Sequence, residues 1–226
     1  MRKIQNEKSY YDLGKSPHID SVAKLVGLLD GYLAYFFDDP DPYDKWIKQG
    51  ALGRAFATEW KKNETYSTLY KIANSIKEIP GLQKYVSIQG ALRSLSLVFT
   101  IFASTMVMAS LFLEIPLVLL GAFAIASIGS ITLIGSWIAG KKVADNIDNY
   151  FKAHQEKYKF KKASLRNMAQ KLIFSLAYYL QKKEIKLESY KFKLFNANYK
   201  GLRVLKKPKL FRKRYIVTFN PQNIPL

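Results

Sequence analysis

Between Ser94 and Gly140 the chain runs for 47 residues with one formal charge, Glu114. No other feature constrains the fold as tightly. The first half, "SLSLVFTIFASTMVMASLFL" from Ser94 to Leu113, has 20 residues. At about 1.5 Å of rise per residue, a helix of that length covers about 30 Å, the depth of a bilayer's hydrocarbon core. The second half, Leu117 to Ala139, has 23 residues and is also long enough to span. Its polar side chains, like those of the first half, are only Ser and Thr, which bond back to their own helix. The expected class is therefore a mainly α membrane protein built on a two-span transmembrane hairpin. A buried helical hairpin in a soluble α domain is the alternative.

The turn between the two segments is short. Glu114 is expected at the headgroups, where a carboxylate costs far less than in hydrocarbon. Pro116 is expected to open the second helix, where its missing N–H costs least. Arg93 and Lys84 precede the first span, and Lys141 and Lys142 follow the second. The tendency of Lys and Arg to stay inside puts both flanks in the cytoplasm and the turn outside the cell membrane. Trp137 then falls at the cytoplasmic interface.

Small residues recur along both segments at alternating spacings of 4 and 3. In the first, Ser96, Thr100, Ala103, Val107 and Ser110 share one side. In the second, Ala122, Ala126, Gly129, Leu133, Ser136 and Gly140 do. Helices in lipid associate where small side chains let backbones approach, so these stripes are expected to pack the spans on each other or on another copy. No ionisable residue lies inside either span, which argues against a proton relay or voltage sensor there.

The flanks differ in charge. Residues 1–93 carry 14 Lys/Arg against 11 Asp/Glu, whereas residues 141–226 carry 22 against 5. Residues 1–90 read as a cytoplasmic helical segment. Ser16-Pro17 is expected to start a helix ending near Phe37, a second helix to run from Pro42 to Lys62, and a third from Glu64 to Ile79. The cluster Asp38, Asp39, Asp41 and Asp44 lacks the pattern of a calcium loop. Asp41 is expected instead to cap a helix that Pro42 opens. The first residues, "MRKIQNEKSYYDLGKSPH", contain no apolar core of the kind that drives secretion. Insertion is therefore expected from the internal segment.

Residues 141–226 read as a basic α+β segment. The second span is expected to continue past Lys142, followed by a helix from about Ser164 to Lys182. Then "YKFKLF", "LRVLKK" and "KLFRKRYIVTF" suggest a three-stranded antiparallel meander. Its exposed side would carry Lys191, Lys193, Arg203, Lys206, Lys207, Lys209, Arg212, Lys213 and Arg214. With Lys141 and Lys142, these are the candidate contacts to anionic lipid or another polyanion.

With no cysteine and two distant histidines, His18 and His154, neither a disulfide nor a metal centre is expected. No nucleophile elbow, zinc-protease motif or phosphate loop occurs. The expectation is a non-enzymatic, cofactor-free interaction or scaffold protein, anchored in the membrane with both termini in the cytoplasm. Its partners would be an anionic bilayer and a cytoplasmic protein, with homo-oligomerisation open. A channel subunit is the first alternative and a membrane-tethered nucleic-acid or polyanion binder the second, though no nucleic-acid-binding pattern is present.

Overall fold

The computed structural model describes residues 10–14, 18–113, 115–209 and 213–225. The chain is mostly helical, with two long apolar helices and one small antiparallel sheet. It divides into two compact units. One gathers the described residues up to Ala73 with those from Gln155 onward. The other runs from Asn74 to His154.

The first unit is organised by two amphipathic helices. In α1 (Ile19–Leu33), Val22, Leu25, Val26, Leu29 and Tyr32 recur at the helical period and are buried. They lie along α7 (Gln155–Lys182), which buries Leu165, Met168, Ala169, Leu172, Ile173 and Leu176. Helix α1 begins at Ile19 with His18 in the N-cap position. Ser16 and Pro17, expected to start it, lie outside the described residues.

The single helix expected over 42–62 is two helices, α2 (Asp41–Lys48) and α3 (Gly53–Lys62). Gly50 and Gly53 both adopt positive φ between them. A Cβ on Gly53 would sit 2.2 Å from the Asp12 carbonyl oxygen, so only glycine fits there. Pro40, not Asp41, holds the N-cap position of α2, and Pro42 is its second residue. The next helix, α4 (Thr65–Ser75), follows Glu64 at positive φ and gives way to a 3-10 turn at Ile76–Glu78.

Helix α7 starts nine residues earlier than its apolar stripe suggested, immediately after His154. At that break the His154 Nδ1 lies 2.8 Å from the Tyr150 carbonyl oxygen, and its ring rests on the Tyr150 ring.

The sheet comprises β1 (Lys191–Leu194), β2 (Leu202–Lys206) and β3 (Tyr215–Phe219). Both outer strands run antiparallel to β3, and the order is β1-β3-β2. This corrects the expected meander, in which β2 would be central. The connection after β1 leads away from it: residues 195–200 bond to Asp30 and to Arg166 and Gln170 of α7, and β3 occupies the place beside β1. The covered face carries Phe192, Leu194, Val217 and Phe219, and β1 lies on α1.

The second unit is a helical hairpin, α5 (Leu82–Leu113) and α6 (Pro116–Ala153). Both helices outrun the apolar segment. Ile115 precedes Pro116 as N-cap, and Glu114 lies outside the described residues. Helix α6 carries on through Lys141 and Lys142 without a break, as its sequence suggested.

Candidate functional site

Two surfaces stand out. The first is the hairpin. Its seam is a run of buried small residues seven apart: Ser96, Ala103 and Ser110 on α5, and Ala122, Gly129 and Ser136 on α6. A seven-residue repeat keeps the same side of each helix facing its neighbour. At Gly129 an added Cβ would lie 3.1 Å from the Phe99 Cβ, a measure of how closely the backbones pass. The Ser96 hydroxyl donates to the Gly129 carbonyl at 2.9 Å, and the Ser136 hydroxyl to the Gln89 carbonyl at 3.2 Å. Gly140 faces the Gln89 side chain.

The remaining stripe residues sit differently. Thr100, Val107, Ala126 and Leu133 are exposed beside the seam. Their places are taken by Phe99, Met106, Ile125 and Thr132, one position earlier in each case. Thr100, Val107, Ala126 and Leu133 line an open groove of ≈540 Å³ along one side of the hairpin.

Facing away from the seam, the hairpin is apolar and uncovered. Phe112 is 80% exposed and Leu117 77%. The outward hydroxyls need no water. Thr100 donates to the Ser96 carbonyl, Ser104 to Thr100, Thr105 to Ile101, Ser127 to Phe123 and Ser130 to Ala126, at 2.8–2.9 Å. Such back-bonding satisfies a hydroxyl inside an apolar medium. At the other end, Gln89 beside Ser136 and Gly140 brings Arg93 to the same end of the hairpin as Lys141 and Lys142. There the Lys142 ammonium lies over the Tyr85 ring, and the Tyr150 hydroxyl donates to Glu78 at 3.1 Å.

The second surface is the basic side of the sheet, where Thr218 of β3 is buried, donating to the carbonyls of Leu187, Glu188 and Tyr190, and cations flank it. Directly paired residues of an antiparallel ladder share a face. Lys191 and Arg203 both pair with Thr218, and Lys193 and Lys206 both pair with Ile216. The register therefore gathers Lys191, Lys193, Arg203 and Lys206 on one face, all exposed. A bulge between Val204 and Lys206 keeps Lys206 in this set. Lys207 and Lys209 follow, exposed, beyond the strand.

Two of the predicted cations are engaged elsewhere. The Arg214 guanidinium stacks 4.5 Å from the Phe195 ring centre and reaches Asp38 at 3.7 Å, and Lys213 lies over Phe36. Arg212 lies outside the described residues.

The acidic cluster is taken up by local bonds. Asp44, 5% exposed, accepts from the Trp60 indole N–H at 3.0 Å and pairs with Lys48 at 2.6 Å. Asp41 accepts from the Tyr66 hydroxyl at 2.7 Å, which pushes that phenol up to about 12. Asp39 accepts from the Asp41 N–H. Among the described residues no group of three or more His, Asp or Glu is placed to hold a metal ion.

Sequence reasoning missed the most constrained carboxylate. Asp30 is fully buried at the end of α1. It accepts from the backbone N–H groups of Phe195 and Asn196, from the Asn196 amide at 2.8 Å and from the Tyr199 hydroxyl at 3.0 Å. Burial pushes its carboxyl above the ordinary range, and those hydrogen bonds pull it back down. Burial and the adjacent Asp30 also push the Tyr199 phenol up. The available signal was position: Asp30 lies four residues after Val26, on the buried stripe of α1.

No protein-family model, curated protein or solved structure matches this chain.

Proposed function

We propose that the chain is an integral membrane protein whose α5–α6 hairpin spans the cell membrane twice. Both flanks lie in the cytoplasm, and the folded α+β unit acts there as a non-enzymatic interaction or scaffold module at the anionic leaflet. One observation carries this reading. Within their most apolar windows only 17% of α5 and 11% of α6 is buried, whereas a core helix of a soluble protein would be covered on most sides. Two adjacent helices with bare apolar surfaces require a covering medium, and lipid supplies it.

Three further facts fit. The outward hydroxyls are satisfied without water. The cations Arg93, Lys141 and Lys142 collect at one end of the hairpin, the arrangement expected of a cytoplasmic end. The sheet face offers four cations to an anionic surface, each worth about 1 kcal/mol near such a leaflet.

Lysine acylation of the full chain in lipid nanodiscs tests the leaflet contact. Lys191, Lys193 and Lys206 should react more slowly in discs rich in anionic lipid than in neutral discs. The difference should vanish at about 1 M salt, where screening shortens to roughly 3 Å. Equal reactivity in both discs at low salt would sink the leaflet part of the proposal.

The groove beside the seam favours a second reading, assembly of several hairpins into an oligomer or channel. Its small side chains leave room for another helix's backbone to approach. Thr100→Cys in native membranes would form disulfide-linked dimers on this reading, and an exclusively monomeric product would refute it.

A further inference from the structure

Helix α7 carries Phe160, Ser164, Asn167 and Lys171 at spacings of 4, 3 and 4, which keeps them on one side of the helix. They face the corner where α3 meets α4. Between these walls lie two openings of ≈330 and ≈680 Å³, which share Lys62, Asn63 and Ser164. Volumes of this size suit a small ligand.

The floor is closed. Met168 is buried and takes the Thr65 hydroxyl at 3.4 Å, and Leu165 is buried beside it. The walls above are polar and basic. Lys171 is matched by Glu59 at 3.1 Å. Lys62, Lys71 and Lys161 also line the cleft, and among the described residues none of the three has an ion-pair partner. Glu64 also lines the first opening, and Glu59, held by Lys171, lines the second.

Beside these ammonium groups Phe160 projects 86% exposed, the highest value for any large apolar side chain described. Among the described residues of this unit no other phenylalanine is more than 38% exposed, and this ring offers a stacking surface.

We propose that this cleft binds a nucleoside polyphosphate, with the phosphates on Lys62, Lys71 and Lys161 and the base on the face of Phe160. Ammonium groups act as point charges toward phosphate oxygens. An aromatic ring accepts any base through its π face. The neutral donors Ser164, Asn167 and Thr68 complete the polar lining. The site shares no residue with the sheet face and does not rest on the membrane reading.

Calorimetry of the full chain in mild detergent, with EDTA present, tests the assignment. ATP should bind with a Kd in the range of about 10–100 μM, and adenosine should bind at least a hundredfold more weakly. The double variant Lys62→Gln/Lys161→Gln should weaken both ATP and inorganic tripolyphosphate at least tenfold. Phe160→Ala should weaken ATP about tenfold and leave tripolyphosphate unchanged. Lys62 and Phe160 are exposed and Lys161 is half-buried, and an unchanged circular dichroism spectrum confirms the fold. Absence of ATP binding at millimolar concentration would overturn the proposal. So would ATP affinity indifferent to the lysine variants, or an ATP affinity equal to that for tripolyphosphate and unmoved by Phe160→Ala.

Discussion

The Ser96 hydroxyl donates across the hairpin to the Gly129 carbonyl, 2.9 Å away. At this bond the two longest helices pass closely, because Gly129 offers no side chain and Ser96 a short one: a Cβ added at Gly129 would lie 3.7 Å from the Ser96 carbonyl oxygen. Gly129→Leu would force the backbones apart and should destabilise the hairpin by about 1–3 kcal/mol. Ser96→Ala removes one interhelical hydrogen bond and should cost about 0.6 kcal/mol, typical for such bonds in lipid. Thermal unfolding in detergent micelles, followed by circular dichroism, separates the two. Equal effects would place the helix contact elsewhere.

The two glycines between α2 and α3 should respond very differently to alanine. Both have positive φ, so each substitution carries a backbone cost of about 1–2 kcal/mol. At Gly50 nothing else stands within 4 Å of the new Cβ, but at Gly53 the Asp12 carbonyl oxygen is 2.2 Å away. Gly53→Ala should therefore cost about 3 kcal/mol or more, and Gly50→Ala only the backbone term. Urea midpoints of the two variants measured in the same detergent check the ranking.

Asp30 should make stability depend on pH. Its carboxyl is raised in the folded chain above the ordinary 3.8. Between these two values the folded state holds a proton that the unfolded chain has released. By linkage this contribution to stability is full below pH 3.8 and falls as pH rises through the folded value. Asp30→Asn abolishes this slope. It also replaces one of the two accepting oxygens by an amide N–H₂, which must face donors on one side or the other, at a cost of about 2–3 kcal/mol at neutral pH. Urea denaturation of both proteins from pH 4 to 8 tests the two effects together. A parallel pair of curves would contradict the assignment.

Much of this architecture is legible in local pattern. The two long apolar helices follow from composition and length alone, and the buried stripes of α1 and α7 follow from the 3.6-residue period. The break between α2 and α3 was not visible, because its cause is a distant carbonyl at Asp12 that approaches Gly53. The strand order was hidden for the same reason. The loop that leads the chain away from β1 is bonded to Asp30, 165 residues earlier. In the hairpin the seven-residue repeat was readable through Ser96, Ala103, Gly129 and Ser136. The alternate positions were misphased because large residues, Phe99, Met106 and Ile125, take the places where small ones were sought. The lysine-lined cleft went unseen because it joins the α3–α4 corner to α7, about 100 residues apart in the chain.

The chain has no cysteine, so single cysteines can be placed without background. The most direct test of the central claim introduces one in turn at Tyr10, Ile115 and Gln222 and treats intact cells with a membrane-impermeant maleimide. The spanning hairpin predicts labelling at Ile115→Cys alone, with Tyr10→Cys and Gln222→Cys reacting only after the membrane is opened. An Ile115→Cys protein that stays unlabelled until permeabilisation, as the other two do, would contradict it.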